Sequence, residues 1–218
     1  MTEPRRAPRQ AEAEANDRAL LAAAREVVAV DGARASVAAI AARAGVGIGS
    51  LYRRYRTKQE LFQRLVSLTL DRWIDAAEQG LAHADPWEGL AHYLLAGFDI
   101  GQGSLGSVAG TIELTEEIAD KNRRADEAVD ALVARARAAG VLRPDVTTTD
   151  LHLLVEQLGK SPMIDQLRQQ GRTDLVPAAV NARTRITAIA LDGLRAPAPH
   201  PLPGEPPAPE LLSGRWET

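Results

Sequence analysis

Apolar side chains recur along this chain at intervals of three and four, the spacing of one helical face, and seldom alternate singly as in a strand. From Asn16 to Val30 the positions Leu20, Ala24, Val27 and Val28 mark such a face, and Asp31-Gly32 ends it. Ser36 to Tyr55 reads as two short helices joined by a glycine turn. Ser36 is placed to cap the first of them. Ile40, Ala44, Val46 and Leu51 pin both to a small core, and Ala41 is small enough for a close crossing. Gly45 stands where the chain must turn left-handed. Thr57-Lys58-Gln59-Glu60 forms a capping box, opening an apolar-rich helix from Lys58 to about Gln79 through Leu61, Leu65, Leu68 and Trp73. No proline falls between Pro8 and Pro86, so a three-helix head with a fourth helix leading away is the expected arrangement.

Asp85-Pro86-Trp87-Glu88 starts the next helix, with an acid cap, a first-turn proline and a second acid at the positive end of the dipole. It continues through Leu90, Tyr93, Leu94 and Phe98 to a glycine-rich break, Gly101–Gly110. Helices are then expected near Thr111–Asp120 and from Asn122 to Ala138, the latter with Ala125, Val129, Leu132 and Ala136 on one face. Gly140 and Pro144 close it, and helices near Thr149–Gly159 and Thr173–Leu194 complete the body. In the last one Leu175, Ala179, Ala182, Ile186 and Ile189 recur at intervals of 4, 3, 4 and 3. Such a seam suits another helix at a shallow angle, from the same subunit or a second copy. Beyond Arg195 stand seven of the thirteen prolines, giving an extended or disordered tail in which Leu211, Leu212 and Trp216 are the groups able to dock. The fold class is all-α, a helix-turn-helix head joined to a larger helical body.

Composition narrows the function. With no cysteine, disulfides and cysteine metal sites are excluded. No apolar run reaches the roughly 20 residues of a membrane span and the start lacks a signal-peptide core, so a cytoplasmic protein is expected. Residues 1–70 hold 12 Lys or Arg against 7 Asp or Glu, a net +5, whereas residues 71–218 hold 14 against 22, a net −8. Ser36–Arg64 alone has six basic residues and one acid, around Tyr52 and Tyr55. A basic head on an acidic body suits one end meeting phosphate.

A helix-turn-helix lets its second helix lie in the major groove of double-stranded DNA while the first braces it. That second helix runs from about Gly47 to Arg54. Leu51 points inward, leaving Ile48, Ser50, Tyr52 and Arg53 for the groove. The Arg53 fork suits guanine, Ile48 a thymine methyl, and Ser50 a base or phosphate. Tyr52, Arg54 and Lys58 are better placed for backbone oxygens, and Arg43 with an arm carrying Arg5, Arg6 and Arg9 adds phosphate or minor-groove contacts.

Val37 through Phe62, with AARAGV, GSLYRRY and TKQELF, resembles the N-terminal domain of the tetracycline-repressor (TetR) family of bacterial regulators. Tyr52 and Lys58 match that pattern. Gly47 stands where serine or threonine usually caps the recognition helix, Ile48 replaces a polar residue, and Arg54 sits where histidine is frequent. The resemblance implies a homodimeric repressor that binds a palindromic operator on the nucleoid and is released by a small-molecule effector in the C-terminal domain. It divides the chain into a flexible basic arm (1–12), a DNA-binding domain (13–73, with the helix-turn-helix at 36–55), a ligand-binding and dimerisation domain (74–195) and a Pro-rich tail (196–218). The last two helices would pair with their copies through Leu151, Leu154, Val155, Leu158, Leu175, Ala179, Ala182, Ile186 and Ile189. Tyr93, Phe98, Ile112, Leu132 and Leu154 are the candidates to line an effector pocket.

Other patterns carry less. Gly101–Gly106 fits G-x-G-x-x-G, but a dinucleotide site needs a strand before it, and this segment follows a helix. Gly159-Lys160-Ser161 echoes a P-loop, yet Leu154 stands where its first glycine belongs. Glu113, Glu116 and Glu117 suit a solvated helix face. His83, His92, His152 and His200 have no metal-binding spacing, although His92 and His152 lie where a cavity wall is expected. No catalytic residue, metal or cofactor is expected. The rival readings are a DNA-binding regulator governed by a partner protein rather than a ligand, and, further off, an enzyme.

Overall fold

The computed structural model describes residues 6–101, 108–159 and 161–216. Its helices are α1 (Arg6–Asp31), α2 (Val37–Ala44), α3 (Ile48–Arg54), α4 (Lys58–Ala82), α5 (Pro86–Ile100), α6 (Glu116–Ala138), α7 (Thr148–Gly159), α8 (Met163–Gln169), α9 (Val176–Gly193) and α10 (Glu210–Ser213). Among the described residues no strand forms, only an isolated antiparallel bridge between Leu142 and Arg195.

Local chemistry sets the boundaries. Ser36 accepts a hydrogen bond from Ala39 N at 3.0 Å, and Gly45, at φ 68°, returns its N–H to α2 carbonyls. Thr57 accepts from Glu60 N at 3.0 Å, and the Glu60 carboxylate takes Arg56 N at 2.7 Å, one residue earlier than the usual box. Asp85 caps α5 through the amides of Trp87 and Glu88.

Two apolar cores result. The head core joins Leu20, Ala24 and Val28 of α1, Ile40 of α2, Leu51 of α3, and Leu61, Phe62 and Leu65 of α4. The body core joins Ala76 and Ala77 of α4 to Leu90, Leu94 and Phe98 of α5, Leu132 of α6 and Leu151 and Val155 of α7. Helix α4 thus belongs to both. It meets α5 backbone to backbone, where a Cβ on Gly80 would lie 2.6 Å from the Gly89 carbonyl oxygen.

Several boundaries differ from the sequence reading. Residues 6–12 open α1 instead of forming a flexible arm. The two helices expected across 111–138 are one from Glu116, because no glycine or proline interrupts the chain at Lys121. An additional helix, α8, precedes α9, and Leu175 sits in a 3-10 turn before it. The tail is also anchored. Arg143, buried, grips Asp145 with two hydrogen bonds (2.6 and 2.9 Å) and the His200 carbonyl at 2.7 Å. The Asp145 carboxylate in turn accepts Leu202 N. Farther on, Trp216 packs against the head core and Arg215 pairs with Glu156 of α7 at 3.1 and 2.9 Å.

Ala in place of Gly80 forces two backbones apart and is expected to lower stability by about 1–3 kcal/mol, seen as a lower thermal midpoint. The same change at Gly49, where a Cβ meets nothing within 4 Å, is expected to hold or raise it.

Candidate nucleic-acid interface

The seven residues of α3 divide sharply. Leu51 is buried in the head core, while Ile48 and Tyr52 are 48% and 47% exposed, and Ser50 and Arg53 are open to solvent beside them. An unburied isoleucine and tyrosine on a rigid helix form a surface that water solvates poorly. Ser50 and Arg53 also border a shallow depression of about 250 Å³ with Asn16 and Val46. Asn16, on α1, is a neighbour that the motif alone does not reveal.

Three other basic residues, Arg43, Arg54 and Lys58, are held by the fold itself. Arg54 lays its fork on Asp17 of α1, Nε to Oδ1 at 3.0 Å and Nη2 to Oδ2 at 3.1 Å. The Tyr55 hydroxyl donates to the same carboxylate at 2.9 Å. Burial and that carboxylate push the Tyr55 phenol up to about 12, so it stays a hydrogen-bond donor. Lys58 donates to the Ala33 carbonyl at 2.7 Å and lies 5.1 Å from the centre of the Phe62 ring. Arg43 pairs with Glu26. Arg54 and Lys58, expected at phosphates, therefore first serve to seat α3 and α4 against α1 and the turn before α2. Arg53 differs: among the described residues it makes no ion pair. Gly47 opens α3 with extended backbone and no side-chain cap. Arg5 lies outside the described residues, and Arg6 and Arg9 fall in the first turn of α1.

A cavity of about 520 Å³ lies between α4, α5, α6, α7 and the end of the tail. Of the expected lining residues it is bordered by Tyr93 alone. Phe98 and Leu132 are sealed in the body core, Ile112 in the head core, and Leu154 packs outside the body core. The walls come instead from Trp73, His152, Asp126, Asp130, Thr149 and Glu156, among others. Tyr93 and His152 share a hydrogen bond (3.3 Å), and burial pushes the His152 imidazole down, keeping it neutral near pH 7. His92 stacks on His83 instead, ring centres 5.2 Å apart.

The expected dimer residues also separate. Leu151 and Val155 face the body core and are corrected to core positions, because α7 turns that stripe toward α5. Leu154 and Leu158 are half-buried beside them. On α9, Ala179 is covered and Ala182 half-covered, whereas Ile186 and Ile189 are 52% and 66% exposed and Leu175 before it is open as well. Most of Gly101–Gly106, and Lys160 of the P-loop echo, lie outside the described residues. Among the described residues no three potential ligands gather to hold a metal ion, and no helix is long and apolar enough to cross a membrane.

Comparison with known proteins agrees with this architecture. Residues 20–65 match the family described as bacterial regulatory proteins, tetR family, and residues 76–196 match the C-terminal domain of SbtR-like transcriptional regulators. No curated protein matches the chain in sequence. Among solved structures, the TetR transcriptional regulator SCO0520 from Streptomyces coelicolor is 27% identical, with a TM-score of 0.55 over 84% of this chain and 99% of that one. A TetR regulator from Mycobacterium vanbaalenii is 24% identical, with a TM-score of 0.53 over 86% and 99%. FadR from Bacillus subtilis, solved in complex with stearoyl-CoA, is 19% identical and shares the fold, with a TM-score of 0.55 over 83% and 98%. With a family head that carries an outward-facing α3, and a family body, the chain belongs to the TetR family of bacterial DNA-binding transcription regulators.

Proposed function

We propose that the protein is a homodimeric repressor that lays α3 of each subunit into the major groove of a palindromic operator and lets go when a small molecule fills the cavity. One observation carries the DNA half: Ile48, Ser50, Tyr52 and Arg53 face out on one short helix while Arg43, Arg54 and Lys58 are tied into the head. In this account Arg53 reads guanine, Ile48 meets a thymine methyl, and Ser50 and Tyr52 reach bases or phosphate. Gly47 lets the backbone come close to the duplex. Arg54 and Lys58 position α3, and Arg43 flanks it.

Pairing is supported by α9, whose Ile186 and Ile189 are left uncovered, and by the half-buried Leu154 and Leu158 of α7. Two copies joined there would present two recognition helices to a symmetric site. The effector half is supported by the cavity, whose size is that of a small-molecule site, and by the ligand-bound FadR structure of the same fold. Four lining residues, Val66, Thr69, Leu70 and Trp73, belong to α4, the helix that carries the head. A ligand that favours one setting of α4 would alter the spacing of the two heads and so reduce operator affinity. Control works by binding alone, without catalysis or a cofactor, on DNA in the cytoplasm.

Duplexes selected from random sequence by the wild-type protein should lose about 1–3 kcal/mol of binding in Arg53→Ala, with relaxed preference at one base pair per half-site. Unchanged affinity and preference would remove α3 from the groove. Ile186→Glu combined with Ile189→Glu should turn a sedimenting dimer into a monomer and weaken operator binding. A dimer that persists would place the interface elsewhere.

A further inference from the structure

The cavity is unevenly charged. Among the described residues three carboxylates border it, Asp126, Asp130 and Glu156, against one guanidinium, Arg215. Arg215 is engaged by Glu156 through two hydrogen bonds. The other two carboxylates have only neutral donors among the described residues: Asn122 Nδ2 on Asp126 at 3.0 Å, and Thr148 Oγ1 on Asp130 at 2.8 Å. They stand one turn apart on α6, the spacing at which like charges on a helix repel. Both residues are exposed at the edge of the cavity, and partial desolvation, then the neighbouring Asp130 charge, push the Asp126 carboxyl up. The nearby arginines of α6 are committed elsewhere, Arg123 to Asp120 and Glu127 and Arg124 to Glu78.

Two further features face the same space. Thr149 is buried, borders the cavity, and its hydroxyl has no partner among the described residues. Trp73 and Tyr93 offer aromatic surface, with ring centres 5.4 Å apart. Aromatic faces attract cations, and a carboxylate pair without a cation is completed by one.

We propose that the effector is an organic amine with an aromatic or other apolar body, its ammonium held between Asp126 and Asp130 and its body laid against Trp73 and Tyr93. An anion of the same size would enter a site already holding two unneutralised carboxylates, which disfavours it by like-charge repulsion. The cavity therefore selects on charge as well as on shape. This rests on the reading of the cavity as the effector site.

Three probes with one apolar body test it: 1-naphthylmethylamine, 1-naphthylmethanol and 1-naphthylacetate, titrated calorimetrically into the full-length protein near neutral pH without DNA. The ammonium should bind at least tenfold more tightly than the alcohol, and the carboxylate more weakly than either. Asp126→Asn combined with Asp130→Asn should abolish the tenfold preference, with an unchanged far-ultraviolet circular dichroism spectrum showing that the fold persists. Equal or tighter binding of the carboxylate, a preference that survives the double substitution, or no binding of any probe overturns the proposal. Operator occupancy is measured separately with the same probes. An amine that binds selectively but leaves DNA bound upholds the ligand class and removes the effector role. A carboxylate that binds and releases DNA does the reverse.

Discussion

Both cores hang on a single unbroken helix. At 25 residues α4 spans about 37 Å at 1.5 Å per residue, and it gives Leu61, Phe62 and Leu65 to the head core and Ala76 and Ala77 to the body core. Between those stretches Thr69, Leu70 and Trp73 border the cavity. Lys121 of α6 fastens the same middle section, donating at 2.8 Å to Ser67 and to Asp71. The segment ahead of α6 adds a second strut, where Gln63 donates to the Glu113 carbonyl at 2.7 Å. Head, cavity and body therefore share one rigid member, and whatever occupies the cavity presses on the part that carries the head.

Within the head, α3 is too short to hold itself in place. Seven residues make barely two turns, and isolated helices of that length are unstable in water. Its orientation comes from Leu51 in the core at one side and from the Arg54–Asp17–Tyr55 cluster at its C-terminal end. The tie runs to α1, 37 residues back in sequence, so the first helix braces the third. This leaves the outer face of α3 free of internal duties.

What was legible in the sequence was local. Ser36, Gly45, Thr57 and Asp85 all act within a few residues of themselves, and each ends or starts a helix where its chemistry required. Alternation of three and four placed Leu20, Ala24, Ile40, Leu51 and Leu61 in the core for the same reason. The illegible part was long-range. Whether Leu151 and Val155 face a sister subunit or their own core depends on how α7 is rotated, which periodicity within α7 does not encode. The cavity lining depends on four helices at once, so Phe98 and Leu132, apolar and well spaced, proved to be core. One signal of the cavity does stand in the sequence: Asp126 and Asp130 lie i, i+4 on a helix, where like charges repel. Docking of Trp216 had no sequence signal beyond its being a large apolar residue in a Pro-rich tail.

The internal ties of the head reach beyond geometry. Arg43 on Glu26 and Arg54 on Asp17 are cations whose charges are already matched before any duplex arrives. Such groups displace few counterions from DNA, and each phosphate left unneutralised makes the logarithmic dependence of affinity on ionic strength shallower by about 0.9. The count of 12 basic residues in 1–70 thus overstates the nonspecific grip of the head. A regulator so arranged wanders less on random chromosome and depends more on the few side chains that touch base edges.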